Sequence, residues 1–142
     1  MAEISARLAG IVAALPLAPG LRVLEIGCGP GVAARAVADR VPGGHVLAID
    51  RSAAAIRQAE AGCAEQIAAG RLTVRRCAVE DLALLPGEEP FDLAFAVRVG
   101  CLDGRHPREG EIALRRIADA LVPTGRLFID GGTPLRELDV PG

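Results

Sequence analysis

The chain has 142 residues, 51% of them hydrophobic and 24% charged, a composition that supports a buried core and excludes a disordered polyelectrolyte. Sixteen basic and 18 acidic residues leave a net charge of -2 with no block of either sign, so the concentrated positive field of a duplex-binding surface is missing and nucleic acid is disfavoured as a partner. All the basic residues are arginine, and Lys, Asn, Tyr and Trp are absent, which removes a phosphate-binding lysine, Schiff-base chemistry and aromatic stacking of bases.

In chain order, Ile4, Leu8, Ile11, Val12 and Leu15 recur at helical spacing, so the spacing predicts an amphipathic helix over about 3–15, closed by Pro16. Glu3 and the lack of a small-residue cleavage site set this segment apart from a secretory leader. Strands follow at Leu21 to Ile26, His45 to Ile49, Leu72 to Cys77, Phe91 to Val97 and Arg126 to Ile129. Most are apolar without alternation, the pattern of strands covered on both faces and hence of a parallel sheet. Helices are expected between them at Val32 to Val41, at Ser52 to Ala69 with Ser52 as cap, and at Pro107 to Val122. In the second of these Ile56, Ala59, Cys63 and Ile67 form the inward stripe, and in the third Ile112, Ile117 and Leu121 do so. Alternating strands and helices imply an α/β doubly wound sheet, one domain over residues 1–142, with no membrane span. The cysteines at 28, 63, 77 and 101 contain no C-x-x-C pair. That spacing argues against a metal site or a disulfide framework and fits a cytoplasmic protein.

A ligand of such a sheet sits at the carboxyl ends of the strands, which directs attention to the loops after Ile26, Ile49, Cys77 and Val97. The first reads Gly27-Cys28-Gly29-Pro30-Gly31, and glycines at alternate positions permit a sharp turn and a close backbone approach. The dinucleotide fingerprint needs a further glycine where this chain has Val32, which counts against a nicotinamide enzyme. Glu25 is an acid in an otherwise apolar strand, where an unpaired carboxylate is costly. Asp50 ends the second strand, placed to accept the two hydroxyls of a ribose.

VLEIGCGPG (Val23 to Gly31) followed by VLAIDRS (Val46 to Ser52) resembles the first motif and the acidic successor of the class I S-adenosylmethionine-dependent methyltransferases. VRRCAVEDLALLP, PFDLAFAVRV and ALRRIADALVPTGRLFID resemble the adenine-side loop, the fourth strand and the last helix, turn and strand of that family. The resemblance spans about Leu21 to Asp130. It implies a Rossmann-like fold with S-adenosyl-L-methionine as cofactor and in-line methyl transfer as the reaction. On the matching residues it implies that Gly27, Cys28, Gly29 and Gly31 run beside the methionine part, that Glu25 helps to hold the ammonium group, and that Asp50, with Arg51 beside it, grips the ribose. Val79 would offer its N–H to adenine. The preceding acid of the pattern is Ala78 here, with Glu80 as its substitute. Val97 would line the apolar approach to the sulfonium. Thr124 stands where the family's late turn usually has a glycine.

Asp103 and His106 are the general-base candidates near a substrate; the bland alternative is that Asp103 and Gly104 form a turn and His106 is surface. Arg98, Arg105 and Arg108 suit an acidic substrate or a solvated loop equally. The first loop's need for small residues explains Cys28 without nucleophilic chemistry. The sequence lacks the D/N-P-P-Y/F motif that family members acting on bases and glutamine often carry, and lacks any lysine, which leaves a small molecule as the acceptor. A non-catalytic cofactor-binding regulatory subunit is the alternative. After Asp130 only twelve residues remain, so five strands in the order 3-2-1-4-5 are expected, without the family's usual sixth and seventh. The fifth strand would then be an open edge, to be covered by the tail or by a second subunit in a homodimer.

Overall fold

The computed structural model describes residues 3–142. Helix α1 (Ala6–Ala14) begins where the Ser5 hydroxyl accepts the Leu8 N–H, and it ends before Pro16, slightly inside the predicted bounds. Strands β1 (Arg22–Ile26), β2 (His45–Asp50), β3 (Leu72–Arg76), β4 (Phe91–Ala96) and β5 (Leu121–Asp130) form one sheet in the order 3-2-1-4-5, all parallel. Helices α2 (Val32–Ala38), α3 (Ala53–Gly62), α4 (Ala64–Ala68) and α5 (Pro107–Ala120) connect them.

The continuous apolarity of the strands has a direct cause. Successive side chains point to opposite faces, and here each face carries its own helical layer. Val23, Val46, Ala48, Leu93 and Phe95 pack with α1, α2 and α3. Their neighbours Leu24, Leu47, Ile49, Ala94 and Ala96 pack with α5 on the other side. Each fully buried Leu or Ile among them contributes about 1.5–3 kcal/mol, so neither face tolerates a polar residue lightly. By the same alternation Glu25 faces the Val23 side, beneath the first turn of α2.

The structure departs from the sequence reading in four places. The expected helix from Ser52 to Ala69 is divided at Cys63, whose backbone (φ -111°, ψ 20°) leaves the helical region. The Cys63 thiol donates to the Gly31 carbonyl at 3.3 Å, a tertiary contact that a window on local sequence cannot see. In α5 the buried stripe is Gly110, Ala113, Ile117 and Ala120, while Ile112 is exposed; the helix comes so close to the Cys101 carbonyl at Gly110 that a β-carbon there would collide with it. The third concerns Val122 to Gly125, read as the end of a helix and a turn, which lie within β5 as a bulge between the Phe91–Leu121 and Leu93–Arg126 partners. Pro123 has no N–H to give a regular ladder, so an irregularity is required there.

The fourth departure corrects the strand count. A sixth strand, β6 (Leu135–Leu138), pairs antiparallel with β5, from Leu127–Leu138 to Asp130–Leu135. The open side of β5, for which a second subunit was one expected cover, thus carries the chain's own tail. Arg126 and Glu137 clasp across the pair at 2.8 Å, and exposed Arg136 and Glu137 put charge on the new edge, a device that discourages further strand addition. Among the described residues no helix is long and apolar enough to cross a membrane.

Candidate functional site

At the carboxyl ends of β1 to β4 lies a cavity of about 610 Å³. All four loops singled out from the sequence reach its wall, joined by the opening of α5. That convergence follows from the parallel sheet, which delivers every strand-to-helix loop to one edge.

The first loop is wound from left-handed glycines: φ is 69° at Gly27, 55° at Gly29 and 85° at Gly31. Only glycine adopts these values without strain. Gly31 has a second constraint, since a β-carbon there would lie 2.9 Å from the Cys63 sulfur and 3.1 Å from the Ala59 β-carbon. The third glycine of the loop therefore lets α3 pack against the start of α2. Gly27 reaches the cavity wall, whereas Gly29, Gly31 and Cys28 do not. Cys28 turns into the core, and burial pushes its thiol up to about 12, with the nearby Glu25 and Asp50 adding to the effect. It is a packed thiol, since the thiolate is the reactive form.

Asp50 ties this loop to the second. Its Oδ2 accepts the Gly29 N–H and its Oδ1 the Ser52 N–H, each at 2.9 Å. A carboxylate has about four acceptor sites, so both oxygens keep a lone pair for a hydroxyl arriving from the cavity, whose wall Asp50 and Arg51 share. The third loop contributes Cys77, Ala78, Val79 and Glu80. Val79 opens a short 3-10 turn ending at Asp81, and the N–H of a first turn residue has no partner within its own turn.

Glu25 lies beneath the glycine loop, off the cavity wall and only 3% exposed. Its carboxyl group takes the Ala34 N–H, while Oε1 has no hydrogen-bond partner among the described residues. Burial, opposed by that hydrogen bond and reinforced by Asp50, raises its pKa from 4.5 to about 8. A buried carboxylate left half-satisfied is expensive, and a cation or a bridging water at Oε1 would relieve it.

The fourth loop differs most from expectation. Val97 packs with the core, and Val99 reaches the cavity in its place. The switch arises at Arg98, the one non-glycine residue with positive φ (60°) among the described residues, which turns the chain so that the following residue faces the ligand edge. Arg98, Gly100 and Cys101 also border the cavity; of these the sequence marks only Arg98, as a charge suited to an acidic substrate or a solvated loop. His106 and Glu109 close the wall from α5. Asp103 lies apart, on a smaller cavity, with its oxygens taken by Arg105: the main-chain N–H at 3.1 Å and Nε at 2.7 Å. Of the two base candidates, only His106 borders the main cavity.

Comparison with known proteins agrees with this architecture. Residues 23–125 match the methyltransferase domain family, and the chain belongs to it. The chain is 34% identical over 119 residues to a trans-aconitate 2-methyltransferase of Paracidovorax citrulli, covering 84% of this chain and 42% of that protein. It is 37% identical over 124 residues to a protein-L-isoaspartate O-methyltransferase of Methylorubrum populi, covering 87% of this chain and 51% of the relative. Among solved structures, a SAM-dependent methyltransferase from Geobacter sulfurreducens in complex with S-adenosyl-L-homocysteine superposes with a TM-score of 0.66 at 26% identity, over 89% of this chain and 48% of that one. The chain spans 24% to 51% of the length of the curated relatives it matches.

Proposed function

We propose that the chain is an S-adenosyl-L-methionine-dependent methyltransferase domain acting on a small-molecule acceptor. The observation that carries this reading is the unpartnered, buried Oε1 of Glu25 beneath a left-handed glycine loop that Asp50 ties to β2. The residues fit the cofactor's parts in sequence. Glu25 suits the ammonium group, directly or through water. Asp50 suits the ribose hydroxyls, and the Cys77 to Glu80 loop suits the adenine ring. Ala78 offers no side-chain acceptor there, so the main chain and Glu80 are left to recognise the amino group. The complex of the Geobacter relative with S-adenosyl-L-homocysteine supports the same assignment.

When bound, the cofactor supplies an electrophilic methyl group on a sulfonium. The protein's share is to position two reactants and exclude water. Ile26, Ile49 and Val99 give the wall apolar stretches suited to a reaction that disperses charge. His106 borders this larger cavity and can accept a proton only from an acceptor group that reaches into it. Two relatives named for trans-aconitate support a small acceptor.

Calorimetric titration with S-adenosyl-L-methionine, S-adenosyl-L-homocysteine and NADH tests the reading. Binding of the first two without the third is expected, followed by transfer of label from methyl-tritiated cofactor to components of a metabolite extract. Binding of NADH alone would overturn the assignment. Cofactor binding without any label transfer would favour the regulatory subunit.

A further inference from the structure

A second cavity, of about 470 Å³, lies beside the first, and Arg98 and Val99 line both. Its apolar lining includes Ala96, Val99 and Ile129; its charged residues are Arg98, Asp103, Arg105 and Asp130. Three of those four charges are already matched. Asp103 holds Arg105 at 2.7 Å. Asp130 accepts the Arg7 guanidinium at Oδ2 and the Arg98 main-chain N–H at Oδ1, each at 2.9 Å. The Arg98 guanidinium is left without an ion pair or hydrogen bond among the described residues.

The backbone at this position is equally unusual. Arg98 has φ 60°, a region that side chains other than those of Gly, Asn and Asp rarely adopt. The Asp130 carboxylate holds the peptide there. Strain held by the half-buried Asp130 carboxylate, at an exposed cation with no ion pair among the described residues and bordering two cavities, is the pattern of a residue placed for a ligand rather than for the fold.

We infer that the smaller cavity takes the methyl acceptor and that Arg98 anchors it through a carboxylate. The inference rests on the reading of the larger cavity as the cofactor site, because the acceptor must lie next to the transferred methyl. A single unmatched guanidinium balances one negative charge and pairs with both oxygens of a carboxylate in its own plane. The apolar lining suits a short carbon skeleton attached to it.

The test uses the intact chain, with butyrate as probe and butyramide and methyl phosphate as controls, followed by NMR at the Val99 and Gly100 amides with and without S-adenosyl-L-homocysteine. Butyrate should shift these signals and butyramide should not. Arg98→Gly keeps the left-handed backbone at no steric cost, so it should melt no lower than the wild type. It should lose butyrate binding by about tenfold or more, and this loss should exceed any loss of affinity for S-adenosyl-L-homocysteine, whose proposed cavity Arg98 also borders. Equal butyrate binding by wild type and Arg98→Gly would overturn the inference, as would a preference for methyl phosphate. A loss of S-adenosyl-L-homocysteine affinity as large as the loss of butyrate would assign Arg98 to the cofactor and overturn it too. Failure of wild type to bind S-adenosyl-L-homocysteine, with butyrate still sensed through Arg98, would instead sink the reading of the larger cavity.

Discussion

Substituting Glu25 by Gln should change how stability depends on pH. In the native protein the carboxyl pKa is raised from 4.5 to about 8 by burial. Between those values the unfolded chain carries an ionised Glu25 and the folded chain a protonated one, so the folded state binds the extra proton. Stability contributed this way is fully present below pH 4.5 and is lost as pH rises through about 8. At about 1.4 kcal/mol per pH unit the whole interval amounts to about 5 kcal/mol. Over about pH 5.5 to 7.5 the wild type should therefore lose about 3 kcal/mol relative to Glu25→Gln, whose side chain does not titrate. Urea unfolding of both proteins across this window reads the difference directly, and shifts common to both cancel. Two stability curves running parallel would refute the reasoning, because they would mean that Glu25 is solvated or already paired in the folded state. A cation docking at Oε1 would reverse the balance and favour the ionised form. Binding of S-adenosyl-L-homocysteine near neutral pH should then release close to one proton, measurable by calorimetry in buffers of different ionisation enthalpy.

Asp50→Ala removes both the acceptor for two backbone N–H groups and the proposed ribose partner. Affinity for S-adenosyl-L-homocysteine should fall by about 10- to 100-fold, with Asp50→Asn intermediate; unchanged affinity in calorimetry would refute the ribose role. Gly31→Ala forces an L side chain to φ 85° and drives its β-carbon to 2.9 Å from the Cys63 sulfur. A loss of about 2–4 kcal/mol in chemical denaturation is expected, and a loss below about 0.5 kcal/mol would show that the loop relaxes freely.

The central strands could be read from sequence because burial on both faces leaves an unbroken apolar run, a signal local enough for a short window. The ligand edge was legible for the same reason: once the strands and their direction are known, the loops after Ile26, Ile49, Cys77 and Val97 must meet. Features set by partners distant in sequence were hidden. Strand β6 is four residues, Leu-Arg-Glu-Leu, with little strand character of its own, and exists because β5 offers an open ladder. The break at Cys63 depends on a carbonyl thirty-two positions away. The exchange of Val97 for Val99 at the cavity depends on Arg98 adopting a conformation that its residue type disfavours, held by Asp130 from another strand. Glu25 stands out in the sequence as an acid in an apolar strand, but its position beneath the loop rather than on the wall follows only from the register of the sheet.

Arg98 and Val99 border both cavities, so an occupant of one lies close enough to feel the field of an occupant of the other. Any factor by which the first arrival alters the grip on the second must be the same factor when the order is reversed. Titrating either occupant in the presence of the other therefore measures one quantity twice, and a disagreement between the two would mean that one titration had not reached equilibrium.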